Sequence, residues 1–198
     1  MMKTDVLTVG PIETNCYLVS REDRDDALII DPGAEGSRIR AALKGKKPVA
    51  VLLTHGHFDH TGALEEFADV PIYIHPADEI MLRDPEWSVG GLNGDTAPRP
   101  EATGFVQEGA KLCLAGLDIA VLHTPGHTLG SVCYRIGDCL FTGDTLFQHG
   151  YGRTDFPGGD FRALLSSLRR LLKGEEDLRV YPGHGPETTI FRERKGML

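Results

Sequence analysis

The stretch Thr54-His55-Gly56-His57-Phe58-Asp59-His60 places four potential metal ligands within six residues. It follows residues 49–53, which are apolar at every position and therefore predict a strand covered on both faces. Such a strand is a rigid base, and the loop at its end can turn several side chains toward one point. Gly56 allows the backbone to turn tightly there. The pattern predicts a metal site rather than a polar loop that happens to be rich in histidine.

Three further candidate ligands follow other apolar, strand-like runs, each beside a glycine. They are His127 in Thr124-Pro125-Gly126-His127-Thr128, Asp144 in Thr142-Gly143-Asp144-Thr145, and His184 in Tyr181-Pro182-Gly183-His184-Gly185. Chance rarely places isolated histidines in such similar settings. Imidazole and carboxylate ligands suit zinc, iron or manganese, and no thiolate belongs to the set. We expect zinc first, with iron or manganese as alternatives.

The rest of the chain predicts strands and helices in both halves. Strands are predicted at residues 6–9, 15–20, 27–30, 72–74, 111–114, 117–123, 131–136, 139–142 and 179–181. Helices are predicted at residues 35–43, 62–67, 77–82 and 161–172, with a short tail after His184. This order favours two packed sheets with helices outside them.

The composition is that of an ordinary globular protein, and 198 residues suit one domain over residues 1–198. A net charge of −8 argues against a nucleic-acid partner. No apolar run approaches about 18 residues, so we expect a soluble, cytoplasmic protein without a membrane partner. We interpret the four cysteines as small buried residues in a reducing compartment: Cys16, Cys113, Cys133 and Cys139.

Five segments, from Asp31-Pro32-Gly33 through the histidine-rich loop to Gly183-His184-Gly185, together resemble the metallo-β-lactamase-fold superfamily. They follow the order of that family and span nearly the whole chain. The resemblance implies an α+β fold, a four-layer αββα sandwich. It also implies a site at one edge, between the two sheets.

The same resemblance implies two divalent metal ions sharing a bridging hydroxide as nucleophile. The first metal would be held by His55, His57 and His127, the second by Asp59, His60 and His184, and Asp144 would bridge both. Asp59 and Asp144 would be the catalytic carboxylates that orient the nucleophile and move its proton. Asp31 is predicted to hydrogen-bond to a loop backbone or a ligand imidazole, with turn formation as the alternative.

Within the superfamily, the chain is most similar to single-domain glyoxalase II-like (hydroxyacylglutathione hydrolase-like) proteins. Residues 124–128, 143–147, 152–160 and 182–186 carry this similarity. It implies hydrolysis of a small-molecule thioester such as S-lactoylglutathione. The helical C-terminal domain that binds glutathione in full glyoxalase II is expected to be missing, because the sequence ends shortly after His184. The cysteine ligand typical of zinc β-lactamases has no counterpart in a ligand segment here.

Two other functions stay open. The first alternative is a persulfide dioxygenase with a single iron held by His57 or His55 together with His127 and Asp144. The second is a metal-binding module without catalysis. The oligomeric state is left open.

Three features are candidates for substrate contact. Arg153 could bind a carboxylate, or form a salt bridge to Asp155 or Asp160 that shapes its loop. His149 could contact substrate, or be an exposed loop residue. Residues 84–104 are rich in glycine, proline and polar residues, and form either a loop beside the substrate or a surface excursion.

Overall fold

Two six-stranded sheets and four α-helices form the fold in the computed structural model, which describes residues 1–174 and 176–197. The strands are β1 (Met2–Val9), β2 (Thr14–Arg21), β3 (Asp26–Ile30), β4 (Lys47–Leu52), β5 (Ile72–Ile74), β6 (Gly104–Phe105), β7 (Lys111–Leu114), β8 (Leu117–His123), β9 (Val132–Ile136), β10 (Cys139–Gly143), β11 (Arg179–Pro182) and β12 (Thr188–Thr189). The α-helices are α1 (Gly36–Ala42), α2 (Phe58–Thr61), α3 (Phe161–Leu172) and α4 (Ile190–Met197).

The strand order brings several loops to one edge of the molecule. The first sheet runs β1-β2-β3-β4-β5-β6, and its strands from β3 onward are parallel. The second sheet runs β12-β11-β10-β9-β8-β7, and its one parallel pair is β10 with β11. Neighbouring parallel strands end on the same side of a sheet, so the loops that follow them lie together.

Three hydrophobic cores separate four layers, which confirms the predicted αββα sandwich. Alternation along β2 shows the arrangement: Cys16 and Leu18 pack in a core with α1, whereas Tyr17 and Val19 pack between the sheets. The third core joins the outer face of the second sheet to the leucines of α3. Central strands are thus buried on both faces, as the uninterrupted apolar run at residues 49–53 predicted.

Several predicted helices differ from those observed. The helix predicted at residues 62–67 is replaced by α2, which begins earlier, and a separate 3₁₀ helix at Leu64–Phe67. Residues 77–82 also form a 3₁₀ helix, as part of Pro76–Leu82. The tail predicted after His184 is wrong, because β12 pairs with β11 and α4 places Ile190 in the core beside α3.

The interpretation of the cysteines as buried residues is confirmed at three positions and wrong at one. Cys16, Cys133 and Cys139 are buried, but Cys113 is exposed on β7, the last strand of the second sheet. An edge strand has one neighbour, and alternate side chains of β7 face water. Separately, none of the helices in the described part of the chain is long and apolar enough to cross a membrane.

Helix α3 provides a test of local stability. Asp160 precedes the helix, and its Oδ1 accepts hydrogen bonds from the backbone N–H groups of Arg162 at 2.8 Å and Ala163 at 3.1 Å. Asp160→Ala should lower the free energy of unfolding by about 1 kcal/mol, because it removes this cap. Asp160→Asn keeps an acceptor and should cost less. Urea denaturation of the three proteins measures the difference, and equal stability of Asp160→Ala and the wild type would contradict the capping role.

Candidate metal centre

All seven predicted ligands lie in loops or short turns that follow strands. His55 and His57 follow β4, and α2 carries Asp59 and His60. The other three follow β8, β10 and β11: His127, Asp144 and His184. Close packing at Gly183 brings two of these loops together, since a Cβ atom there would lie 2.2 Å from Asp144 Oδ1 and 2.8 Å from His60. A side chain larger than hydrogen has no room at this position.

The seven side chains converge into three overlapping groups that could each hold a cation. Within each group the potential ligand atoms all lie within 4.8 Å of one another. The groups are His55 with His57 and His127, Asp59 with His60 and His184, and His55 with His60 and Asp144. The first two are the trios expected for two metals, and the third places Asp144 between them.

The buried polar atoms of this cluster fit divalent cations. The Nε2 atoms of His55, His57 and His60 and the Oδ1 atom of Asp144 are buried and have no hydrogen-bond partner among the described residues. Unpaired polar atoms in a protein interior are costly and rare. Imidazole nitrogen and carboxylate oxygen are suitable ligands for zinc, iron and manganese. A bound cation would satisfy Nε2 of His55, Nε2 of His60 and Oδ1 of Asp144, which the protein itself leaves unpaired.

Asp31 holds the histidine-rich loop in place, which confirms the hydrogen-bonding role predicted for it. Its carboxylate accepts hydrogen bonds from Thr54 N at 2.8 Å and Thr54 Oγ1 at 2.6 Å. The same carboxylate lies 2.9 Å from Nδ1 of His60. With Nδ1 donating its proton to Asp31, the His60 ring turns Nε2 toward the centre of the cluster.

Backbone carbonyl groups orient two more imidazoles in the same way. Nδ1 of His127 donates to the carbonyl oxygen of Arg153 at 2.7 Å, and Nδ1 of His184 donates to that of Ile12 at 3.1 Å. Both rings therefore turn Nε2 toward the cluster. His57 is different, because its Nδ1 lies 2.9 Å from Nε2 of His127. Two ring nitrogens this close must share a proton or a cation.

The electrostatic environment favours a positive charge at the centre of the cluster. Burial lowers the pKa of His57 to about 3, so this imidazole is neutral. Burial opposes ionisation of Asp144, but neighbouring imidazoles, His60 foremost, lower its pKa to about 2. Burial also opposes protonation of His60, yet nearby carboxylates, Asp59 foremost, raise its pKa well above the ordinary value. A metal ion bound by His60 would displace this proton, because a ligand imidazole must be neutral.

A cavity of about 540 Å³ opens onto this cluster. Five candidate ligands form its floor: His57, Asp59, His127, Asp144 and His184. Apolar side chains form most of its wall, and they are Ile12, Phe58, Val89, Leu92 and Phe156. Val89, Leu92 and Asn93 belong to the loop of residues 84–104, which contains a 3₁₀ helix at Gly90–Asn93. This loop therefore borders the cavity rather than forming a separate surface excursion.

The two predicted substrate contacts have different outcomes. Arg153 lines the cavity, but its Nε and Nη2 atoms each lie 2.7 Å from the carboxylate of Asp155, which is the alternative salt bridge. Its guanidinium also stacks over Phe156 at 3.9 Å from the ring centroid. His149 is not among the described residues that line the cavity. Glu193 accepts a hydrogen bond from the backbone N–H of His149 at 2.7 Å, and the His149 side chain is exposed, which agrees with the alternative of an exposed loop residue.

Asp78 is a residue at the site that the sequence interpretation missed. It is fully buried, and its carboxylate accepts hydrogen bonds from Thr128 Oγ1 at 2.6 Å, Gly130 N at 2.7 Å and the backbone N–H of Gly56. Gly56 lies between His55 and His57, and Thr128 follows His127. Asp78 therefore connects the two loops that supply the first ligand trio. Burial raises the pKa of this carboxyl group despite these hydrogen bonds.

Comparison with known proteins agrees with this geometry. Residues 9–184 match the family model described as the metallo-beta-lactamase superfamily. The chain belongs to this superfamily. The match includes all seven candidate ligands and strands β2 to β11.

Named relatives support the assignment of this chain to the metal-dependent hydrolases. The chain is 40% identical to a probable metallo-hydrolase, YqgX, of Bacillus subtilis, over 98% of this chain and 95% of that protein. It is 38% identical to hydroxyacylglutathione hydrolase GloC of Haemophilus influenzae, over 98% and 96% of the two chains. The chain is a metallo-hydrolase of this superfamily.

Two solved structures resemble it along nearly their whole length. The BLEG-1 B3 metallo-beta-lactamase superposes with a TM-score of 0.91 at 38% identity, covering 98% of this chain and 97% of that one. A protein solved in a di-iron-bound form superposes with a TM-score of 0.87 at 38% identity, covering 97% and 98%. The first of these structural neighbours is a lactamase, and the second binds iron.

Removing the Asp78 carboxylate should weaken metal binding at the first trio. We expect Asp78→Asn to reduce the affinity for the cation at the first trio about 10–100-fold, the usual effect of losing a partner that orients ligands. Competition with a chromophoric chelator, together with metal content per chain, measures this.

Glu193→Gln is a matched control for that variant. Glu193 is also a buried carboxylate that accepts from one threonine hydroxyl, at 2.6 Å from Thr188, and one backbone N–H, at 2.7 Å from His149. Its loss should lower stability without changing metal affinity. Equal metal affinity in both variants would show that Asp78 serves the fold alone.

Proposed function

We propose that this metallo-hydrolase cleaves a small-molecule thioester with the help of two divalent cations held by the seven-residue cluster. The observation that carries the proposal is the convergence of two ligand trios, with the Asp144 carboxylate between them, beneath one open cavity that five of the seven residues line. A three-ligand iron site would leave the remaining histidines and Asp59 without a role. The similarity to hydroxyacylglutathione hydrolase GloC favours a thioester among the substrates of such a site.

The chemistry requires a water molecule, an electrophilic carbonyl group and a leaving group. Divalent cations in such a site lower the pKa of water and polarise a carbonyl group. Asp59 and Asp144 lie on the cavity floor, where their carboxylates can orient the attacking water and accept its proton. Asp59 is itself held by Thr14, whose hydroxyl donates to Oδ2 at 2.8 Å.

The bond changes in thioester hydrolysis are simple. The water oxygen forms a bond to the acyl carbon, the carbon–sulfur bond breaks, and the proton released from water passes to the departing sulfur or to solvent. The products are a carboxylic acid and a thiol. Because a thiol has a pKa near 8.5, the thiolate leaves without a dedicated acid. The reaction therefore requires proton acceptors on the cavity floor more than proton donors. Asp59 and Asp144 are acceptors of this kind.

Metal dependence and reaction class can be tested on one preparation. Protein stripped with a chelator should lose thioester cleavage and regain it when zinc, iron or manganese is restored, with about two ions bound per chain. The same preparation is assayed with a β-lactam and, for oxygen consumption, with glutathione persulfide. Turnover of the β-lactam alone, or oxygen uptake by protein with one iron per chain, would replace the thioesterase proposal with lactamase or dioxygenase activity.

A variant of Asp144 tests the role of the carboxylate between the two trios. Asp144→Asn removes the negative charge between the two trios and should lower kcat by about 10²–10⁴-fold. Circular dichroism should remain unchanged, because Oδ1 has no hydrogen-bond partner among the described residues. Turnover at the wild-type rate in this variant would exclude Asp144 from the reaction.

A further inference from the structure

The walls of the cavity, unlike its floor, are apolar, and part of the apolar surface faces water. Ile12 on one side is 45% exposed, and Leu92 on the loop of residues 84–104 is 80% exposed. Both line the cavity, although they are far apart in sequence. Large apolar side chains that remain in water at the mouth of a cavity mark a surface for an apolar ligand.

Val89 adds an independent observation about this wall. Its backbone lies in the left-handed region, with φ of 63° and ψ of 3°, where a β-branched residue is an outlier. Glycine or asparagine would adopt this conformation more easily. The chain nevertheless places valine there, with its side chain against the cavity. Backbone strain of this kind is concentrated at functional sites.

The wall is fixed in place before any ligand arrives. Phe58 N donates to the carbonyl oxygen of Ser88 at 3.0 Å, which joins the loop to helix α2. Arg99 N donates to the carbonyl oxygen of Leu82 at 2.7 Å, and the Arg99 side chain binds Asp95 and Thr61. Since α2 carries Asp59 and His60, the same contacts set the wall relative to the floor. A preformed surface binds its ligand at a lower entropic cost.

Charge distribution argues against an anionic arm of the substrate. Among the described residues lining the cavity, Arg153 is the one lysine or arginine, and its guanidinium is paired with the carboxylate of Asp155 through two hydrogen bonds. The glutathione arm carries two carboxylates, which proteins usually bind with arginine or lysine. The cavity wall offers an apolar surface instead.

We propose that the site selects thioesters of apolar, uncharged thiols over thioesters of glutathione, with the thiol arm between Ile12 and the wall formed by Val89 and Leu92. This inference rests on the proposed thioesterase activity. It assigns the floor to the reaction and the wall to the choice of substrate.

The test compares three substrates with the metal-loaded, full-length protein. They share an acetyl group and differ in the thiol: benzyl mercaptan, N-acetylcysteamine and glutathione. We expect kcat/KM for the benzyl ester to exceed that for the glutathione ester by about tenfold or more, the discrimination that a small apolar pocket provides. An equal or higher value for the glutathione ester would overturn the inference.

Variants of the wall distinguish recognition from general reactivity. In Leu92→Ser and in Val89→Asn, the ratio of kcat/KM between the benzyl and glutathione esters should fall toward one. Leu92 is exposed, so its substitution leaves the fold intact, and asparagine tolerates the backbone of residue 89. The matched control is Val6→Ser on β1, which is 56% exposed and is not a cavity residue, and it should keep the wild-type ratio. An unchanged ratio in both wall variants would overturn the assignment.

The outcomes separate the two proposals. If the metal-loaded wild type cleaves none of the three esters, the thioesterase activity itself is wrong. If it cleaves the glutathione ester best, thioesterase activity stands and the preference for an apolar thiol is wrong.

Discussion

Buried imidazole nitrogens without protein partners are the constraint on which the rest of this structure depends. Nε2 of His55 and Nε2 of His60 are enclosed by protein, and no described residue forms a hydrogen bond with them. Leaving such atoms unpaired costs free energy that the three hydrophobic cores must offset. A cation that binds these atoms in the folded chain, and not in the unfolded one, stabilises the fold by mass action. Folding and reactivity therefore depend on the same few atoms.

Two carboxylates outside the ligand set maintain this arrangement. Asp31, at the end of β3, binds Thr54 and His60, and Asp78 binds the loops on either side of the first trio. The backbone of Asp31 adopts a strained φ of 51°. The Asp31 carboxylate reaches Thr54, which follows the end of the parallel neighbour β4. The sheet topology brings the loops to one edge, but these hydrogen bonds determine the orientation of the ligands. Neither carboxylate needs to touch a cation to affect its binding.

The fold and the ligand set could be predicted because their signals are local. The strand at Ile72–Ile74 and the hairpin of β7 and β8 have their predicted bounds, since apolar runs and the turn at Ala115 and Gly116 lie close together in sequence. The seven ligands sit beside strand ends, where glycines mark the turns. The structure brings together all seven residues that the sequence proposed.

What the sequence could not show depends on tertiary placement. An aspartate in the first turn of a helix, such as Asp78, is ordinarily an exposed residue that favours the helix dipole. Burial against the loops of two other strands gives it a different role. Helix α4 was missed because, among its described residues, Ile190 is the one that belongs to a hydrophobic core, so no periodic apolar pattern marks the helix. His149 follows Asp144 closely in sequence, yet a left-handed turn and Glu193 direct it elsewhere.

A polar floor beside an apolar wall separates the groups of this cavity that can act on a reacting carbonyl from the surface that would contact the rest of a substrate. Relatives about 40% identical to this chain include a probable metallo-hydrolase and hydroxyacylglutathione hydrolase GloC, and a lactamase shares the fold at 38% identity. A floor of imidazoles and carboxylates suits any carbonyl substrate, because it acts on the reacting atoms alone. Apolar walls exclude water and so strengthen each charge interaction on that floor. Replacing Val89 or Leu92 can therefore alter substrate choice, while the ligand geometry and the stability of the fold are retained.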